Sequence, residues 1–166
     1  NLFADEKIHR IATFRQKCLF DGGRCLSFSD AGGGARPSLS QISFFGKMYP
    51  DFPKPSRAYV SKRFARGGCF RFALMLRELT RTTDEVLPEK ESEIRGTYLL
   101  TDAQWYISTA ENGTTFAAKG GNNDEPHNHN DIGGFEIFRR GKILLHDVGS
   151  GEYNKDYFSA KRYGLF

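Results

Sequence analysis

The sequence predicts an α+β protein, helical in its first half and antiparallel β in its second. Three observations carry this. Apolar residues early in the chain recur at three- and four-residue spacing, whereas from Gly96 onward short runs rich in β-branched and aromatic residues alternate with Gly- and Asn-containing turns. Charge divides at the same place: residues 1–83 hold 15 Lys and Arg against 6 Asp and Glu, a net +9, and residues 84–166 hold 9 against 14, a net −5. Between them, residues 84–95 are acidic and contain Pro88. The expected organisation is therefore a helical segment over 1–83, an acidic linker over 84–95 and a β portion over 96–166.

In a chain of 166 residues with 39% hydrophobic and 14% aromatic content, there is enough apolar material for one domain or two small ones. The first helix is expected over 4–19, with Ile8, Ile11, Ala12, Cys18 and Leu19 on its apolar side and Asp5 and Glu6 in its first turn. Asp21, Gly22 and Gly23 end it. Residues 25–28 form a short apolar stretch, and 30–37 a glycine-rich loop that lacks the spacing of a phosphate-binding loop. A short helix is expected over 38–45, followed by an extended connector imposed by Pro50, Pro53 and Pro55. A longer helix is expected over 56–81, interrupted at Gly67 and Gly68.

Strands are expected over 97–100, 104–109 and 114–119, the last two joined through Glu111, Asn112 and Gly113, with Trp105 anchoring the sheet. Two more are expected over 134–138 and 142–147, joined by a connection of about three to five residues around Arg139, Arg140 and Gly141. The tail over 149–163, with Tyr153, Tyr157, Phe158 and Tyr163, reads as a loop packed across the sheet. Cys18, Cys25 and Cys69 form no CxxC, and their odd number excludes a self-contained disulfide framework.

The candidate chemistry lies in GGNNDEPHNHNDIGGFEIFRRGKILLHD, residues 120–147, which contains three of the four histidines together with Asp124, Glu125, Asp131 and Asp147. One histidine beside a strand is ordinarily a packed residue; this density is not ordinary. If 127–130 is extended, His127 and His129 share one face, with Asn128 and Asn130 on the other. The hairpin then returns Asp147 to the level of His129. Two imidazoles and a carboxylate converging in this way suit a first-row divalent metal, zinc above all.

The stretch KGGNNDEPHNHNDIGGFEIFRRGKILLHDVGSGEYNKDYFSAKRY resembles the signature region of the heparinase II/III-like polysaccharide lyases, which include oligoalginate lyases. The resemblance runs from about residue 104 to residue 163 and extends more weakly to LSFSDA at 26–31. It implies the end of an α/α toroid followed by part of an antiparallel β-sandwich, and an acidic, uronate-containing polysaccharide as substrate, cleaved by β-elimination. It makes His127 the active-site histidine, as base or as neutraliser of the sugar carboxylate, with Asn128 assisting. His129 and Asp147 become ligands of a mainly structural zinc. In that family a further histidine ligand follows the aspartate by several tens of residues, and a tyrosine and an Asn/His pair come from earlier toroid helices. The 166 residues are thus expected to belong to a longer polypeptide, to hold half a site and to turn over substrate weakly alone.

Two other readings compete. His129, Asn130 and Asp131 form an HxD, which with His146 suggests a mononuclear iron oxygenase; a cupin-type site would need a Glu where Ile132, Gly133 and Gly134 stand. The second is a non-catalytic carbohydrate-binding or scaffold sandwich whose histidines bind a structural metal. No nucleic-acid-binding spacing accompanies the basic half, and no apolar run reaches membrane-spanning length, so neither a nucleic acid nor a membrane is an expected partner.

Overall fold

Helix starts in the first half are set by side-chain caps. Asp5 accepts the Lys7 N–H at 2.8 Å and opens α1 (Glu6–Lys17); Ser38 accepts the Gln41 N–H at 3.3 Å and opens α2 (Leu39–Met48). A third helix, α3, spans Phe72–Arg81. The computed structural model describes residues 1–20, 24–31, 38–57, 60, 72–82, 87, 96–147, 149 and 154–161. Ser56 lies outside regular structure, so the helix expected from that position is not there at its start, and the expected break at Gly67 and Gly68 falls outside the described residues. Of the expected acidic linker only Leu87 is described, and it is buried.

The chain divides into two compact units, residues 1–19 with 36–94 and residues 20–35 with 95–166. In the helical unit, Ala12, Ile42, Tyr49, Phe52, Val60 and Leu87 form the core, with Phe3, Leu39 and Phe45 against it. The ring of Tyr49 meets His9 edge-on at 4.7 Å, and the Arg81 guanidinium lies 4.4 Å from the centre of the Phe44 ring. Helix α3 carries an apolar stripe, Phe72, Met75, Leu76 and Leu79, that is exposed, while Glu78 is buried and accepts from the Ser40 hydroxyl of α2.

Two-residue strands β1 (Leu19–Phe20) and β2 (Arg24–Cys25) pair with each other. The second unit is built on a five-stranded antiparallel meander in sequence order, β3 (Gly96–Leu100), β4 (Trp105–Thr109), β5 (Thr114–Lys119), β6 (Phe135–Arg139) and β7 (Lys142–Leu145). An α+β chain, helices first and antiparallel sheet after, is what the periodicities predict. The β4–β5 connection is a turn in which the Gly113 N–H bonds the Ala110 carbonyl at 2.9 Å, with Gly113 at φ 78°. The β6–β7 connection is tighter than expected. Arg139 pairs with Lys142, and the two residues between them, Arg140 and Gly141, have φ of 47° and 73°, the left-handed pair that a type I′ turn requires. Strand β7 stops at Leu145, two residues short of expectation, so His146 and Asp147 lie beyond the sheet.

Strand alternation gives this sheet two unlike faces. One face presents Ile107, Ala117, Glu136 and Phe138, all buried, and Phe20, Ser27 and Phe28 of residues 20–31 lie against it. Phe20 stacks on Phe138 at 4.4 Å and Phe28 meets Trp105 edge-on at 5.2 Å, which gives Trp105 its anchoring role. The other face presents Leu99, Tyr106, Phe116, Phe135 and Leu145, all exposed. In the tail, Lys155–Phe158 forms a 3-10 turn in which Phe158 is exposed; Tyr153, the side chain of Tyr157 and Tyr163 fall outside the described residues.

Candidate functional site

The loop from residue 120 to residue 134 leaves the end of β5 and returns to the start of β6. Its mouth is closed by backbone bonds, the Lys119 N–H to the Gly134 carbonyl at 2.9 Å and the Gly133 N–H to the Lys119 carbonyl at 2.8 Å. At its beginning, the Gly120 N–H bonds the Gln104 carbonyl at 2.8 Å and the Gly121 N–H bonds Gln104 Oε1 at 3.1 Å. The asparagines fold what lies between. Asn122 Oδ1 accepts the Asp124 N–H at 2.9 Å, and Asn128 Oδ1 accepts the Asn130 N–H at 2.6 Å. Both are Asx turns, in which a short amide side chain replaces a backbone acceptor.

A buried charge holds this loop down. The Lys119 side chain points to the covered face of the sheet, where it is 1% exposed, and its ammonium donates to Asp131 Oδ1 at 2.7 Å and to Ser29 Oγ at 2.8 Å, with Glu125 at 3.7 Å. Asp131 also accepts the Ser29 N–H at 3.2 Å and Asn128 Nδ2 at 3.2 Å. Burial by itself would raise the Asp131 carboxyl, but the hydrogen bond and charge of Lys119, with the backbone bonds it accepts, leave it below the usual aspartate range. This ion pair ties the loop to residues 27–31.

That second segment supplies the acid of the site. Asp30 offers both carboxylate oxygens to histidines of the loop: Oδ2 to His127 Nδ1 and Oδ1 to His129 Nε2, the latter at 2.7 Å. The two rings differ sharply in exposure, the His127 side chain at 72% and that of His129 at 4%. The expectation of an extended backbone here does not hold, since His127 and Asn130 have φ of 61° and 59°. The imidazoles meet through the two arms of one carboxylate instead of through strand alternation. Of the five described non-glycine residues with left-handed φ, four (Ser29, Gln104, His127 and Asn130) lie in this loop or in the residues that hold it. For residues other than asparagine such backbone costs about 1–3 kcal/mol each, and Asn130 adopts it more cheaply.

The other sequence candidates have different surroundings. Asn128 is buried, and its amide is used within the loop on Asn122, Asn130 and Asp131. Asp147 accepts the Gly149 N–H at 2.7 Å through Oδ1, and its backbone flanks Glu136. Glu136, fully buried, accepts the Ser27 N–H at 3.0 Å and the Ser27 hydroxyl; burial raises its carboxyl above the usual range, against the hydrogen bonds from Ser27 and Asp147. His146 is exposed beside the Asp147 carbonyl.

Among the described residues no group of three or more His, Cys, Asp and Glu side chains has a metal-holding arrangement. The triad itself is spaced for hydrogen bonds. Zinc bonds of about 2.0–2.2 Å in a tetrahedron separate ligand atoms by about 3.3 Å, whereas His129 Nε2 stands 2.7 Å from Asp30 Oδ1. At that separation His129 Nε2 and Asp30 Oδ1 are hydrogen-bonded to each other and are not two ligands of one metal ion. The Asp131 carboxylate, the other member of the HxD expected for iron, is engaged by Lys119, Asn128 and Ser29.

Sequence reasoning missed Asp30, Lys119 and Glu136 as organising residues. Only the likeness of LSFSDA to the lyases carried a signal for the first, and a lysine and a glutamate on the covered face break the apolar alternation of β5 and β6. No protein-family model and no curated protein matches this chain.

Proposed function

We propose that this chain is part of a polysaccharide lyase that cleaves uronate-containing acidic polysaccharide by β-elimination, with His127 as its base. The observation that supports this most is an exposed imidazole whose Nδ1 is held by a carboxylate, on a loop fixed by a buried ion pair. A neutral ring held through Nδ1–H presents the Nε2 lone pair outward, and an imidazole is suited to proton abstraction near neutral pH. In the elimination, His127 Nε2 takes the C5 proton of the uronate, the C5 electron pair becomes the C4–C5 double bond, and O4 departs with a proton from a donor outside the described residues. No described residue bonds His127 Nε2, so a sugar can approach it.

In this reading the helices are the end of an α/α toroid and the meander is one sheet of a β-sandwich. The exposed apolar row of Leu99, Tyr106, Phe116, Phe135 and Leu145 supports the second point, because one sheet of a sandwich carries an apolar face for the other. Asn128 acts in this reading by shaping the loop, since its amide is committed there.

The test is a titration with oligouronates of alginate, heparan and hyaluronan type, following the His127 ring by NMR and the unsaturated product by its ultraviolet absorbance. At least one uronate is expected to shift His127 where a neutral oligosaccharide does not, with any product formation lost in His127→Ala. If no uronate perturbs His127, or if the variant forms product as the native chain does, the reading fails. A non-catalytic carbohydrate-binding sheet is the second reading, favoured by the neighbouring exposed rings of Tyr106, Phe116 and Phe135, with Tyr106–Phe116 and Phe116–Phe135 centroids 6.2 and 5.9 Å apart. It requires shifts on those rings and none on His127.

A further inference from the structure

Two imidazoles on one carboxylate make a different site from two imidazoles on a metal. An ionised carboxylate only accepts hydrogen bonds, so a ring nitrogen facing it carries a proton. Asp30 faces His127 through Nδ1 and His129 through Nε2. As neutral rings the two are therefore held in opposite tautomeric senses, His127 with Nδ1–H and His129 with Nε2–H.

We propose that Asp30 is the positioning residue of this site: its carboxylate holds His127 as the Nδ1–H tautomer with Nε2 bare, and holds His129 through its Nε2–H. The arrangement explains why the exposed ring is oriented at all, since a side chain 72% exposed has little packing to hold it and its described contact is the hydrogen bond to Asp30. Asp30 in turn is placed by its neighbour. Ser29 adopts φ 56° and is pinned on both sides, its N–H on Asp131 and its hydroxyl under the Lys119 ammonium. The strain at Ser29, the buried Lys119–Asp131 pair and the fork of Asp30 form one continuous chain of support from the sheet to the His127 ring. The consequence for turnover rests on the reading of His127 as base; the tautomer does not.

Long-range 1H–15N correlation spectra of the histidine rings, recorded on the chelator-treated chain near neutral pH, test this directly. In the native chain His127 is expected mainly as Nδ1–H and His129 mainly as Nε2–H. In Asp30→Asn the amide nitrogen donates to a ring, so at least one of the two rings is expected to invert its tautomer, with the sheet amides unchanged. Zinc added stoichiometrically is expected to leave the His129 Nε2 resonance in place. A native His127 mainly in the Nε2–H form overturns the proposal, as does a stoichiometric zinc that deprotonates His129 Nε2, or an Asp30→Asn spectrum with both tautomers as in the native chain. The native spectrum decides even if a variant does not fold. Fixed tautomers without any uronate effect on His127 sink the lyase reading and leave this inference standing.

Discussion

Lys119 shows how much one residue decides. A lysine on the covered face of a sheet is unfavourable unless its charge is met, and here Asp131 meets it at 2.7 Å with both side chains nearly inaccessible, 1% and 6%. Removing one member of such a pair leaves a buried uncompensated charge, at a cost of about 3–5 kcal/mol. Lys119→Met keeps the aliphatic length and strands Asp131, so chemical denaturation is expected to show a loss of about that size. A loss under 1 kcal/mol would mean that water reaches the pair. In the sequence Asp131 stands out as the Asp of an HxD, which suggests an iron ligand; its use by Lys119 is legible only in three dimensions.

At the scale of elements, the meander follows from local signals. The β4–β5 turn is where Asn112 and Gly113 predict it, because Gly113 needs a left-handed φ and Asn112 Oδ1 accepts the Thr114 N–H at 2.9 Å. The β6–β7 turn is less obvious, since Arg140 takes the first left-handed position at φ 47°. An arginine there is strained where asparagine is not. Arg140→Asn is therefore expected to raise stability by roughly 0.5–1 kcal/mol, read as an increase in melting temperature; a decrease would show that the Arg140 side chain makes a contact worth more than the strain. The histidine loop is the opposite case. Its composition marks it as a loop, and alternation then misplaces its side chains, because the Asx turns at Asn122 and Asn128 and the left-handed residues His127 and Asn130 replace extended backbone.

For the molecule as a whole, two carboxyls of the sheet unit give stability an opposed pH dependence. Asp131 is held below its ordinary value of 3.8, so its contribution is present above that value and disappears as pH falls through the folded value. Glu136 is raised above its ordinary 4.5, chiefly by burial, so the folded state favours its protonated form. Its contribution is complete below 4.5 and is lost as pH rises through the higher folded value. Glu136→Gln removes that second dependence. Melting temperatures measured from acid to neutral pH are expected to show the variant gaining on the native chain as pH rises past 4.5; a parallel pair of curves would show that Glu136 does not titrate differently on folding.

The division between what the sequence determined and what tertiary structure decided follows the range of the interactions. Helical spacing, strand alternation and Asn-Gly chemistry act over a few residues, and they determined the α+β order, the first two helices and the five strands. The same local reasoning located the histidine loop by composition. The acid at its centre was not readable, because Asp30 lies 97 residues from His127 and 99 from His129, and Glu136 lies 109 from Ser27. No periodicity links positions so distant. Their meeting depends on Phe20 and Phe28 packing against Phe138 and Trp105 on one face of the sheet, which brings Ser27 to Glu136, Ser29 to Lys119 and the Asp30 carboxylate to both imidazoles. Burial of apolar surface is non-directional, so its pattern announces that a face will be covered and leaves to the folded chain which segment covers it.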